Sequence, residues 1–483
     1  MKFQGFVGPS YTSQSVRLAA QRCMNWYIEN IEVTGEPFQS ALYPTPGCEE
    51  RHTFDESPVR GMLEHNGRCF VAVGQTFYEI YSDKTTTPTV HGTIAYAATP
   101  VTLVANDMGD EVFITSAGVG YVFTLSTDAF ATVLASGADQ GEFLDGFFLS
   151  LNDSTSTLRL SDLNDGTTWD ATQYAQRTAG ADPWQSVVVT HRDIWLFGKQ
   201  TTEVWYNAGT SPFPFAAIPG AFIEEGIAAP FSAKRVGNVV MWLGSSEDGA
   251  GIVWMSSGYQ PQRVSTHAVE HAIQGYVRAG LSISDAVGWT YQEDGHSFYG
   301  LNFPEAKATW VFDSATGLWH ERGTWNVDDV EFKAWRPQYH VYAFNKHLVG
   351  DRDIGTVYEM SIDKFQDAGG GPIRRVRRTP HLSADNNWIF HRSLQLELQT
   401  GLGLTTGQGS NPQVMMRWSD DGGETWGNEH WASGGKIGEY GLRTIWRRLG
   451  RGYDRVYEIA VSDPIPWRVI GAYIDVEVSG AGR

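Results

Sequence analysis

Two short stretches carry residues whose types and spacing could do chemistry. The first is His-Ala-Val-Glu-His, residues 267–271. On a helix, His267 and His271 stand one turn apart and could share a metal ion, with Glu270 between them, and H-x-x-E-H is an inverted zinc-protease motif. Only three positions are fixed, and no third ligand on a downstream helix is evident. The plainer reading is two solvated histidines beside an apolar stripe. The second stretch is Ser-Asp-Asp-Gly-Gly-Glu-Thr-Trp, residues 419–426. Ser419, Asp421, Gly423 and Trp426 have the S-x-D-x-G-x-x-W spacing called an Asp-box, found in glycan-cutting propellers.

The box has a physical reason other than catalysis. Asp421 and Gly423 suit a turn that bonds a side chain to its own backbone and needs a residue without Cβ. Ser419 can bond across that turn, and Trp426 can fold back over it. A degenerate copy occupies residues 161–169, with Asp165 and Gly166 adjacent. Glycoside hydrolysis needs paired carboxylates across a cleft, and nothing in the sequence points to such a pair. We read the box as a structural hairpin. There is no nucleophile elbow, P-loop or dinucleotide fingerprint. No catalytic, cofactor-binding or metal-binding residue is assigned, and no cofactor is expected.

One basic cluster stands out, Ile-Arg-Arg-Val-Arg-Arg at 373–378. On a strand, Arg375 and Arg377 point one way, and Arg374 and Arg378 the other. Two readings compete. The cluster docks acidic partner chains or touches passing DNA, or it is a solvated strand answering this chain's own acidity.

The elements that would position these residues are mostly strands. Gly, Asp or Asn turns separate short aromatic and β-branched runs at 66–82, 109–126, 144–163, 192–208, 237–256, 294–314 and 338–361. Each reads as a hairpin. Their starts lie roughly 35 to 60 residues apart, the spacing of four-stranded propeller blades. The fold class is therefore all-β: a seven-bladed β-propeller, with six blades or a Greek-key sandwich as alternatives. One helix is predicted inside it near 265–278, capped by Ser265 or Thr266, with Ala268, Ala272, Ile273 and Tyr276 on one face. A short helical stretch is also predicted at 15–30. The expected divisions are an N-terminal segment 1–55, a propeller 56–366 and, beyond the Gly-rich 367–371, a β-sandwich 372–483.

The chain has 483 residues and a formal charge of −19. From residue 371 onward there are 14 Lys/Arg against 12 Asp/Glu, so the first 370 residues carry 22 against 43. An acidic body of that kind repels nucleic acid. The three cysteines, Cys23, Cys48 and Cys69, are too few and too irregularly spaced for a disulfide framework or a zinc site. No signal peptide or transmembrane run is evident, so synthesis in a reducing cytosol is expected.

The residues at 160–244 and 262–276 resemble the tail hub family of short-tailed bacteriophages, labelled packaged DNA stabilization protein or tail nozzle. "RCMNWYIEN…YPTPG" (22–47) is similar to the family's N-terminal signature. The stretch 378–477, which contains "MRWSDDGGETWG" and "RGYDRVYEIAVSDP", is similar to its C-terminal part. The resemblance runs collinearly over nearly the whole chain, and it carries no functional residue position by position. It implies a β-propeller with a β-sandwich platform formed by both chain ends. It also implies a ring of six copies below the portal-adaptor complex that retains packaged DNA and provides the channel for its ejection. The implied partners are other copies of the chain, portal-adaptor proteins, tail fibres or spikes, a needle or plug in some relatives, and transiently passing double-stranded DNA. Membrane insertion is not expected. The implied location is the virion, after assembly in the host cytoplasm. The rival functions are a glycan-cleaving, sialidase-like propeller and a glycan-binding one.

Overall fold

The computed structural model describes residues 1–479 except 34, 36–37, 55–56 and 178–179. Seven antiparallel sheets follow one another along the chain, and their innermost strands contact one another in cyclic order. The first strands of blades one to four are Val59–His65, Thr102–Ala105, Gln140–Leu144 and Trp184–Thr190. Those of blades five to seven are Lys234–Val236, Val287–Glu293 and Pro337–Ala343. The ring closes because Pro337–Ala343 lies against Val59–His65. This is the seven-bladed propeller expected from the hairpin spacing.

Local chemistry explains the regularity. Blades one, three and six turn from first to second strand through Asn66-Gly67, Asp145-Gly146 and Asp294-Gly295. Both residues of each turn have positive φ, as a tight hairpin turn requires. Aromatic side chains then fill the wedges between blades: Phe70, Phe77 and Phe123 between the first two, and Trp195, Phe197 and Trp242 between the fourth and fifth.

The seventh blade draws its fourth strand from the other end of the chain. Gly47–Thr53 pairs antiparallel with Thr356–Ser361. The sequence reading assigned all of 1–55 to the platform, and here the structure differs. A strand delivered from far away in sequence thus completes the last blade and ties the start of the propeller to its end.

The platform consists of two sheets. One continues blade six: the outer strand Leu318–Asn326 is bridged in parallel to Ala20–Met24, through Met24 opposite Glu321. That sheet runs on through Arg375–Arg378, Asp454–Val461 and Gln413–Ser419 to His430–Ser433. The other sheet is ordered Trp26–Asn30, Ser40–Pro44, Val469–Val478, Ile389–Leu398 and Thr444–Arg447. Between them lies an apolar core that includes Trp26, Leu42, Leu394, Met416, Tyr457 and Trp467. The stretch predicted to be helical at 15–30 is instead a turn followed by two short strands, Ala20–Met24 and Trp26–Asn30. Asn25, at φ 58°, turns the chain from one sheet into the other. Its amide is pinned on three sides, donating to the carbonyls of Gly323 and Arg374 and accepting from the Gly323 N–H. Tertiary bonding of this kind overrides a weak local helical pattern.

The inserted helix is His267–Arg278, between blades five and six. Thr266 caps it, accepting from the Val269 N–H at 3.4 Å. Ala268, Val269 and Ile273 are its buried residues. Gly280, at φ 79°, follows its end.

Candidate functional site

The four arginines of the cluster lie on two faces of one strand, and the two faces differ. Arg375 and Arg377 share one face of a middle strand and are both 0 % exposed. Arg377 donates to the carbonyls of Phe6 (2.6 Å), Gly5 (3.0 Å), Pro9 (3.0 Å) and Arg22 (3.3 Å), and to Gln21 Oε1 (2.8 Å). Arg375 reaches the Thr45 carbonyl at 3.4 Å. Burial pulls their guanidinium pKa values down to about 9 for Arg375 and about 10 for Arg377. On the other face, Arg378 pairs with Glu458 at 2.5 Å and Arg374 with Glu429 at 3.0 Å. Arg375 and Arg377 are thus neither DNA-facing nor solvated, while Arg374 and Arg378 are half-buried and paired within the chain. The cluster joins the N-terminal segment to the C-terminal sheet, because strands cover it on both sides and residues 5–9 lie over it.

The Asp-box forms the hairpin between Gln413–Ser419 and His430–Ser433. Ser419 Oγ donates to Asp421 Oδ1 at 2.6 Å and accepts the Gly423 N–H at 2.8 Å. Asp421 Oδ1 accepts the N–H groups of Glu424 (3.1 Å) and Thr425 (2.9 Å). Gly422 and Gly423 both have positive φ. Trp426 does more than cover the turn. The guanidinium groups of Arg378 and Arg417 lie 4.8 and 5.1 Å from its ring, and both arginines pair with Glu458. The structure therefore brings the box and the basic cluster together, which the sequence reading did not foresee. The degenerate copy works alike: Asp165 Oδ1 accepts the Thr167 N–H at 2.8 Å, and the Trp169 indole N–H donates to the Gly166 carbonyl at 2.7 Å.

These bonds hold the Asp421 carboxyl well below the usual carboxylate range, the hydrogen bond from Ser419 first among the causes. A depressed folded-state pKa stabilises above the unfolded value of about 3.9 and is lost as pH falls through the folded value. Asp421→Ala is expected to lower platform stability at pH 7 and to erase that part of its acid sensitivity. Faster hydrogen exchange at Glu424 and Thr425, with the blades unchanged, would confirm it.

The two histidines of the inserted helix each lie beside an arginine. His267 Nδ1 lies 2.8 Å from Arg263 Nη2, and His271 Nδ1 lies 3.3 Å from Arg278 Nη2. Among the described residues, no group of three His, Cys, Asp or Glu side chains is placed to hold a metal ion.

The propeller axis contains a cavity of about 380 Å³, lined by the inner strands of all seven blades. One carboxylate, Glu142, lines it, with Lys234, Arg235, Thr290 and His340 among the other polar groups. Burial pushes Glu142 up to about 7, against the opposing pull of Lys234. A second cavity at the mouth is lined by Glu293 and Asp294, adjacent on one hairpin turn rather than on facing walls. Neither offers the paired carboxylates across a cleft that glycoside hydrolysis requires.

Sequence reasoning missed a tie between platform and propeller. His296 of blade six sits between Asp313 (Nδ1 to Oδ2, 2.8 Å) and Glu29 of the platform (Nε2 to Oε2, 2.8 Å). Those carboxylates, Asp313 first, raise the imidazole to about 9. A raised pKa stabilises fully below the unfolded value of about 6.5 and is lost as pH rises through about 9. His296→Gln is therefore expected to cost on the order of 2 kcal/mol at pH 6 and progressively less toward pH 10. Denaturant titrations at the two pH values test this. A cost independent of pH would contradict it.

A propeller fused edge to edge with a sandwich, its buried arginines and tight turns placed at the joints between them, defines the architecture. Family models assign it further. The model described as bacteriophage P22 Gp10, β-propeller, matches residues 10–364, and that described as bacteriophage P22 Gp10, β-sandwich, matches residues 374–477. The chain belongs to this family of phage tail proteins that stabilise packaged DNA. No curated protein matches it in sequence. Among solved structures it is similar to the N-terminal domain of Nup159, with 10 % identity over 70 % of this chain and 98 % of that one, at a TM-score of 0.42. It is also similar to the extracellular domain of a putative hybrid two-component system of B. thetaiotaomicron, with 9 % identity over 71 % and 45 %, at a TM-score of 0.44. No helix among the described residues is long and apolar enough to cross a membrane.

Proposed function

We propose that this phage tail protein is the hub of a short tail: a ring of six copies beneath the portal-adaptor complex that keeps packaged DNA in the head and forms the channel for its exit. Family membership across both domains carries the reading. The charge pattern supports it. An acidic body does not grip phosphates, so a lumen lined by it would let the genome slide. Adaptor proteins, tail fibres or spikes and, in some tails, a needle would dock around such a ring once it assembles in the host cytoplasm. Particles produced without this chain are expected to fill with DNA and then lose it. Nuclease-protected DNA per particle measures this, and full retention would overturn the reading.

A further inference from the structure

A charged surface left without partners lies at the far edge of the platform. Residues 436–451 hold five basic side chains, Lys436, Arg443, Arg447, Arg448 and Arg451, against one acid, Glu439. The four arginines are exposed, and among the described residues no carboxylate oxygen lies within 4 Å of any of them. They surround the edge strand Thr444–Arg447 of the second platform sheet. The nearest acids are otherwise placed. Glu477 is paired with Arg392, and Asp475, beyond the intervening Ser393, stands two strands from Arg447. Aromatic rings adjoin the cluster: the Arg451 guanidinium lies 4.3 Å from the Trp388 ring, which packs on Tyr453, and Phe390 opposes Arg451 in register. Exposed arginine beside aromatic surface has the composition of protein interfaces.

The same chain carries an unpaired complement. Glu224 and Glu225 precede Gly226–Ile227, which pairs beside Lys234–Val236 on the second strand of blade five, and Glu247 and Asp248 form that blade's central hairpin turn. No Lys, Arg or His nitrogen lies within 4 Å of any of these four carboxylates among the described residues. Glu225 feels its neighbours: burial first, then the charges of Asp248 and Glu224, push its carboxyl up. Phe222 stands exposed beside them. Concentrating like charge without a counter-ion is unfavourable in the isolated chain and is relieved when the opposite patch arrives.

We propose that the arginine patch Arg443, Arg447, Arg448 and Arg451 docks on the acidic patch Glu224, Glu225, Glu247 and Asp248 of a second copy of this chain. The inference rests on the ring reading and names the surface through which the ring closes. The two patches are different surfaces, so the contact is heterologous, the kind that generates a ring when its rotation closes.

Charge exchange tests it. The variants are Arg443→Glu with Arg447→Glu, Glu247→Arg with Asp248→Arg, and all four together. Each is to be checked for a native melting curve and then scored for ring formation by mass photometry and in purified particles. Each one-sided reversal should weaken ring formation at least about ten-fold, and the combined variant should recover most of that loss. Rings that form equally well in both one-sided variants would overturn this inference and leave the ring reading standing. A wild-type chain that stays monomeric both in solution and in particles would overturn the ring reading, and this one with it. The arginines have a second test. If the wild type retards random duplex DNA at about 0.1 M salt, and the arginine reversal abolishes that binding with no rescue by the acid reversal, the patch is a phosphate surface and the proposal is wrong.

Discussion

Arg377→Met is expected to destabilise the platform by roughly 4 kcal/mol, the largest loss expected from any one side chain at the joint between the N-terminal segment and the C-terminal sheet. Replacing a buried ion pair with apolar groups is often neutral, because both charges leave together. Arg377 is a different case. Its partners are the carbonyls of Gly5, Phe6, Pro9 and Arg22 and the side-chain carbonyl of Gln21, and all of them remain when the guanidinium is removed. Each buried acceptor left without a donor costs about 1–3 kcal/mol, and some of that is recovered if water enters. Arg377→Lys should rescue little, since one ammonium on a flexible stem cannot reproduce a planar fork with five donors. Denaturant unfolding followed by platform tryptophan fluorescence gives the magnitude, and proteolysis within residues 1–22 gives the location. A change below about 1 kcal/mol would show that the N-terminal segment is held by the apolar core alone.

Gly47→Val should open the propeller. A Cβ at this position would lie 2.3 Å from the Lys364 carbonyl oxygen and 2.7 Å from that of Gln366. Both are backbone atoms that cannot swing aside, so the strand Gly47–Thr53 must leave its place beside Thr356–Ser361. The expected cost is about 3 kcal/mol or more, the scale of severe overpacking. Cys48 next door provides a direct readout. Its thiol is buried, and burial keeps it from ionising. In the variant Cys48 should become reactive to a thiol reagent, while Cys69 of blade one stays protected longer. Equal labelling of Cys48 in the parent and variant chains would mean that the blade closes by another route.

The central hairpin of every blade was legible because it is local. In blades one, three and six the tight turns Asn66-Gly67, Asp145-Gly146 and Asp294-Gly295 announce its start, and alternating aromatic runs form its two strands. Pairings between distant segments were not legible. Nothing in "GCEERHT" says that it completes a blade more than three hundred residues away, and nothing in "AQRCM" says that it bridges blade six to the platform. The alternation in "RRVRR" gave the two faces correctly. Whether a face of arginines meets water or backbone carbonyls depends on what the N-terminus covers, and periodicity is silent on that. The exposed arginines at 443–451 escaped notice for the opposite reason. Thr444, Trp446 and Leu449 separate them, so they form no run, and only the sheet edge gathers them into one patch. The Asp-box turn is local in the same way as the blade hairpins, its bonds confined to eight consecutive residues.

The most direct test of the hub account is a cryo-EM reconstruction of the intact tail carrying this chain. The account predicts a closed ring of six copies below the portal-adaptor complex, coaxial with the DNA channel, with platform meeting propeller around the ring. A single copy attached at the periphery, or a chain lying off the channel axis, would contradict it.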